Sequence, residues 1–298
     1  MKTVAAIATT VLLWASAFVA IRHVGADVRP GALALGRLLV AAAVLGVLVA
    51  VRRPRWPDRR AWPRLVLCGV AWLGVYNVAL NAAERRVDAG TAAMVVNLGP
   101  VLIAALAGLF LGEGFPRRLL LGLATAFAGT VLIGVAAAGD ARADPWGVAL
   151  CLVAAAGYAV GVIAQKPLLA RADALPVTFL ATLVGTVACL PFAGQLVTDV
   201  AAHPGAAGWL VYLGAGPTAL AFTTWAYALA RTGAGRLGAT TYLVPPVVVL
   251  LAWSLLGEVP AALALGGGLL CLAGVAATRS RRLTLTPRQG VSWTAERG

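Results

Sequence analysis

The sequence predicts an all-α integral membrane protein: ten transmembrane helices arranged as two inverted five-helix repeats. Three observations carry this expectation. The first is composition. Of 298 residues, 61% are hydrophobic and only 12% charged, with a mean hydropathy of +0.89. A soluble domain carries about a quarter charged residues. Here the apolar runs reach about 20 residues, the length that crosses a hydrocarbon slab of about 30 Å. A helical soluble core does not need such runs. The second observation is self-similarity at an offset of 145 residues. Ala234-Gly235 repeats Ala89-Gly90, Pro245 repeats Pro100, and Leu256-Gly257-Glu258 repeats Leu111-Gly112-Glu113. Over residues 65–129 that offset gives 18 identities in 65 positions, well above the roughly one in ten expected of so Ala-, Leu-, Gly- and Val-rich a chain. The third is the placement of the basic residues.

Taken in order, the apolar runs cover residues 4–22, 31–51, 64–83, 89–111, 118–138, 146–165, 176–198, 207–230, 236–257 and 260–278, each bounded by charge, Pro or Gly. With the amino terminus in the cytoplasm, 18 Lys and Arg fall on the inner side and 5 on the outer, with Arg37 inside a span. That asymmetry orients a multi-pass protein and predicts both termini inside. Lys2 before the first run invites a signal-peptide reading, but no clear small-residue cleavage site follows and nine further runs do, so residues 4–22 read as a first helix. The offset carries the fourth run onto the ninth, five spans later, and an odd number of spans inverts the second copy. The expected boundaries are a first repeat over 1–138, a second over 139–278, and a disordered, Arg-rich cytoplasmic tail over 279–298.

The formal net charge of +13 does not point to nucleic acid, because the bases sit at the ends of apolar runs. Cys68, Cys151, Cys189 and Cys271 lie inside separate runs with no CxxC or Cys/His spacing, so neither a disulfide framework nor a metal site is expected. No Walker motif is present, no cofactor is implied, and His23 and His203 fall in outer loops. All 11 acidic residues lie at run ends or in loops, which argues against a proton-driven exchanger built on an intramembrane carboxylate.

The run Trp14-Ala15-Ser16-Ala17-Phe18-Val19-Ala20-Ile21-Arg22 and its echo Tyr158-Ala159-Val160-Gly161-Val162-Ile163-Ala164-Gln165-Lys166 open the two halves. Together with Arg37, Asn97-Leu98-Gly99-Pro100 and both Leu-Gly-Glu endings, they make residues 1–278 resemble the EamA-type ten-helix transporters of the drug/metabolite transporter superfamily. One departure is Ala17, where that family often has Asn. The resemblance implies a bacterial inner-membrane permease, not an enzyme, that moves small organic metabolites such as amino acids, more as an exporter than an importer. A lipid-linked carrier or flippase, or a multidrug efflux transporter of the same fold, is the alternative. The implied partners are a small-molecule substrate and the lipid bilayer, with the chain acting as a monomer or homodimer.

Polar and aromatic residues at membrane depth mark the candidate site, because they are costly there. Asn77 and Asn81 are four apart and share a helix face. Their offset partners, Phe222 and Ala226, share a face with Trp225, so amides are expected on one wall of a cavity and aromatics on the other. The plain alternative is that the amides bridge helices. Asn97 and Tyr242 are offset partners, each three residues before a proline. Pro100, Pro245 and Pro246 are expected to break their helices and free carbonyls at depth. Trp14 and Tyr158 sit mid-span, where an interfacial belt does not explain them; an aromatic box and core packing are both open. Arg37 is expected to snorkel to the headgroups, with a substrate carboxylate as the other reading. Glu113 and Glu258 are expected to cap helix ends.

Overall fold

The computed structural model describes residues 1–87, 92, 95–137, 144–256 and 262–278. Glu258, the Ala89-Gly90 turn and the expected tail lie outside these residues. The described residues are helical with short connections. The helices are α1 (Lys2–Val24), α2 (Pro30–Arg52), α3 (Trp62–Cys68), α4 (Asn77–Ala83), α5 (Gly99–Phe110), α6 (Arg117–Ala137), α7 (Pro145–Leu168), α8 (Ala174–Cys189), α9 (Ala193–Ala202), α10 (Ala206–Leu213), α11 (Ala221–Leu229), α12 (Ala234–Ala239), α13 (Val244–Leu256) and α14 (Ala262–Thr278). Among the described residues, seven helical stretches are long and apolar enough to cross a bilayer, and shorter apolar helices occupy Gly99–Phe110 and Leu265–Thr278.

Prolines and caps set the boundaries. Pro30 and Pro145 start α2 and α7, where a missing N–H costs nothing. Asp144 accepts a bond from the Trp146 amide at the head of α7 (2.9 Å). With that bond first among its causes and the Arg86 guanidinium next, the Asp144 carboxyl titrates below its usual range.

Two helices are interrupted by π-helical turns at matched places. Gly69–Tyr76 joins α3 to α4, and Gly214–Leu220 joins α10 to α11, with Gly69 and Gly214 145 residues apart. Both glycines permit close approach by the facing helix. A Cβ on Gly69 would lie 2.6 Å from the Ala181 carbonyl oxygen and 2.6 Å from Val184 Cβ. One on Gly214 would lie 2.7 Å from the Arg37 carbonyl oxygen and 2.5 Å from Val40 Cβ. α2 of the first half thus packs on the π turn of the second, and α8 of the second on the π turn of the first, with Arg37 and Ala181 in equivalent places.

The inversion is visible where α6 crosses α14. The Gly122 Cβ position is 2.6 Å from the Gly274 carbonyl oxygen, and the Gly129 position is 2.5 Å from that of Gly267. The pairing runs antiparallel. Because Gly122 corresponds to Gly267 and Gly129 to Gly274, one contact is the symmetry image of the other. Only glycine lets two backbones meet so closely, a common device in lipid.

The proline breaks meet near the same axis. The chain turns at Asn97-Leu98 before α5, and a 3-10 turn at Thr240–Leu243 precedes α13. The Tyr242 hydroxyl donates to the Asn97 carbonyl at 2.8 Å, so the two offset partners touch across the halves. Pro100 removes the ladder bond to the Val96 carbonyl, and the contact from Tyr242 falls on the next carbonyl in the same broken stretch.

Candidate functional site

Six aromatic rings from four chain segments converge in the core. Trp14 comes from α1, Trp72 and Tyr76 from the first π turn, Tyr158 from α7, and Phe222 and Trp225 from α11. Trp14 lies 5.1 Å from Trp225 and 5.5 Å from Phe222, centroid to centroid, and 6.3 and 6.4 Å from Trp72 and Tyr158. Trp72 in turn packs 4.7 Å from Phe222 and 5.2 Å from Tyr158, and Tyr76 sits 6.0 Å from Tyr158. These spacings are those of offset and edge-to-face pairs, each worth about 0.5–1.5 kcal/mol beyond area burial. Gly99 admits the cage to the broken helix, since a Cβ there would meet the Tyr158 ring at 2.7 Å.

Among the described residues, the Trp225 indole nitrogen has no hydrogen-bond partner, and the Tyr158 hydroxyl, beside the Thr241 side chain, makes no well-formed bond. A buried polar group left unpaired costs about 1–3 kcal/mol. The cage thus holds two unused groups in an otherwise apolar, uncharged setting. That suits an amphipathic ligand with a polar end.

The amides behave differently from the aromatics. Asn77 is buried, and its Nδ2 donates to the Leu73 and Trp72 carbonyls of its own helix at 2.9 and 3.4 Å. The π turn leaves carbonyls out of the ladder, and the amide covers them; Thr218 does the same for Leu213 in the second half at 2.7 Å. Asn81 reaches across to the Pro30 carbonyl at 3.1 Å and keeps a buried, unpaired Oδ1. The rings facing Phe222 and Trp225 are thus Trp14, Trp72 and Tyr158. Trp72 and Tyr76 are the residues that sequence reasoning missed. The available signal was an aromatic in mid-run, the same one that singled out Trp14.

Arg37 does not snorkel to the headgroups. It is 5% exposed, and its Nε donates to the Thr218 hydroxyl at 2.9 Å. The second π turn supplies a polar partner inside the bundle, which removes the reason to reach outward.

The ends of the path differ. At one end, a cleft of about 530 Å³ is lined by Pro30, Ala82, Arg85, Arg86 and Asp144, with Arg86 and Asp144 paired at 3.1 Å. At the other, Glu113 caps α12 across the two halves, accepting from the Ala234 and Gly235 amides at 2.6 and 3.1 Å. Gly112 and Gly114, both at φ +67°, turn the chain so that Glu113 can reach. Lys166 closes the same region by donating to the Leu229 and Thr232 carbonyls at 2.6 Å each. The space between Thr10, Trp225, Thr240 and Thr241 is too narrow for a water.

The model of the EamA-like transporter family matches this chain twice, over residues 1–135 and 145–280. The chain belongs to that family. Among its relatives, a probable terminal-alkyne amino-acid exporter of Streptantibioticus cattleyicolor is 42% identical over 95% of each chain. An uncharacterized transporter of Bacillus subtilis, YdfC, is 31% identical over 89% of this chain and 87% of its own. The uncharacterized inner membrane transporter YedA of Escherichia coli is 27% identical over 83% of this chain and 80% of its own. A crystal structure sharing 21% identity superposes with a TM-score of 0.75 over 93% of this chain and 96% of the other, which shows a common fold. As an EamA-like transporter, the chain is a multi-pass membrane protein whose substrate is a small molecule.

Proposed function

We propose that this EamA-like transporter exports small amphipathic metabolites, amino acids among them, across a bacterial inner membrane. The cage of Trp14, Trp72, Tyr158, Phe222 and Trp225 carries this reading, because it pairs apolar surface with two unspent polar groups beside the helix breaks at Asn97-Pro100 and Tyr242-Pro246. The name of the Streptantibioticus relative supports the amino-acid class, with an apolar unsaturated side chain suited to an aromatic box. Transport proceeds by rocking of the halves 1–138 and 139–278 about that cage, with Asn81 leading toward it from the wide cleft. Both termini lie in the cytoplasm, so the sealed end with Glu113 and Lys166 faces inward and the cleft faces out.

Counterflow in proteoliposomes tests the reading. Vesicles loaded with propargylglycine, leucine or phenylalanine should accumulate the labelled amino acid only when the protein is present. Replacing Trp72 by Ala should abolish that accumulation. Flux of labelled lipid with none of amino acids would overturn the assignment in favour of a lipid carrier.

A further inference from the structure

We propose that Arg37 anchors the carboxylate of the transported molecule, making the substrate class amphipathic carboxylates and zwitterions; this deepens and rests on the transporter reading above. A cation inside the bundle is expensive to keep, so its retention calls for a use. Arg37 is buried, and its bond from Nε to Thr218 leaves both Nη groups without an acceptor among the described residues. That bond fixes the plane of the guanidinium and presents a fork whose geometry matches a carboxylate.

The internal symmetry separates this use from packing. Through the matched glycines Gly69 and Gly214, the equivalent of Arg37 is Ala181, and the equivalent of Thr218 is Leu73. Ala181 and Leu73 are both buried in the core. The same helix-on-π-turn contact therefore forms in the second setting with no charge at all. Packing does not require the guanidinium.

Its place fits a substrate that also occupies the cage. Tyr76 and Glu84 lie near Arg37, and the Tyr76 ring stands 6.0 Å from that of Tyr158. Thr218 precedes Phe222 by one helical turn. A carboxylate held by Arg37 would place the rest of a small molecule against Tyr76 and the rings beyond it.

The test is equilibrium binding to the purified full-length protein in lipid nanodiscs. The probes are L-norleucine, its methyl ester and n-pentylamine, which share the alkyl chain and amine but differ in the carboxylate. The wild-type protein should bind norleucine at least tenfold more tightly than either analogue. Arg37→Gln should erase that preference, binding all three probes within about threefold. Arg37→Lys, which keeps the charge without the fork, should retain part of it. Thr218→Val, which removes only the partner that holds the plane, should reduce it severalfold. Equal wild-type binding of norleucine and its ester would overturn the proposal even if Arg37→Gln fails to accumulate. So would an undiminished preference in a folded Arg37→Gln protein. Tight binding of the ester and amine with weak binding of the acid would leave the transporter reading standing and remove the anchor. No binding of any probe would take down the amphipathic-metabolite reading and the anchor with it.

Discussion

Removing the Glu113 cap should loosen the sealed end by an amount the geometry allows one to work out. The carboxylate accepts from two backbone amides, Ala234 at 2.6 Å and Gly235 at 3.1 Å, at the head of α12 in the opposite half. Glutamine keeps one acceptor oxygen and turns an amine toward the second N–H, so one bond and the favourable charge at the helix start are lost. Losing a helix cap costs about 0.5–2 kcal/mol, and charge-assisted bonds lie at the upper part of that range. About 1–2 kcal/mol corresponds to roughly a 5- to 30-fold shift toward the state open at this end. Leu237, 2% exposed on α12, reports on it. A Leu237→Cys protein should react with a membrane-impermeant thiol reagent, added on the side of this end, about 5- to 30-fold faster when Glu113→Gln is added. Cys68, Cys151, Cys189 and Cys271 are buried and supply the unreactive baseline. Labelling of Leu237→Cys unchanged by Glu113→Gln would refute the cap as a closure of this end.

Three further outcomes follow from the geometry. Tyr158→Phe removes a buried hydroxyl that lies beside the Thr241 side chain without a well-formed bond, so thermal stability should change little while substrate affinity falls; a destabilised Tyr158→Phe protein with normal affinity would mean that the hydroxyl serves the fold. Gly129→Leu would drive a side chain into the Gly267 backbone, whose oxygen already lies 2.5 Å from the Cβ position, so the protein should fail to accumulate or lose several degrees of melting temperature in detergent. Asp144 titrates below the usual carboxylate range, so its contribution to the start of α7 is present at neutral pH and disappears as pH falls through that lowered value; Asp144→Asn should show a flatter acid limb in a thermal-stability profile, and an identical limb would remove the cap from the account.

Much of this architecture is legible in the chain because an inverted repeat keeps the residues that its own symmetry uses. Gly122, Gly129, Gly267 and Gly274 each face another glycine, so both copies must keep them. Pro100 and Pro245 survive in both halves for a related reason, since each marks a break beside the axis. The cage is half legible. Trp14, Tyr158, Phe222 and Trp225 stand out as aromatics at depth or as offset partners of the amides, whereas Trp72 and Tyr76 carry the same mid-run signal but have Pro and Ala at the repeat offset. Asn77 shows why spacing misleads here. Asn77 and Asn81 do share the regular helix α4, but the π turn before it claims the Asn77 amide for carbonyls of the same helix. Arg37 shows the other limit. Its depth follows from the helical rise, but its partner Thr218 lies 181 residues away, and no local pattern announces it.

The matched π turns also separate what the two halves share from what each keeps to itself. A π turn accommodates one more residue than the α-helix around it, at a cost in ladder geometry. Gly69–Tyr76 and Gly214–Leu220 begin at corresponding positions, yet the carbonyls that they free are covered by an asparagine in one half and a threonine in the other. The wide turn therefore belongs to the pattern that both halves share, while its cover belongs to each half alone: an amide closes one break in the ladder and a hydroxyl the other.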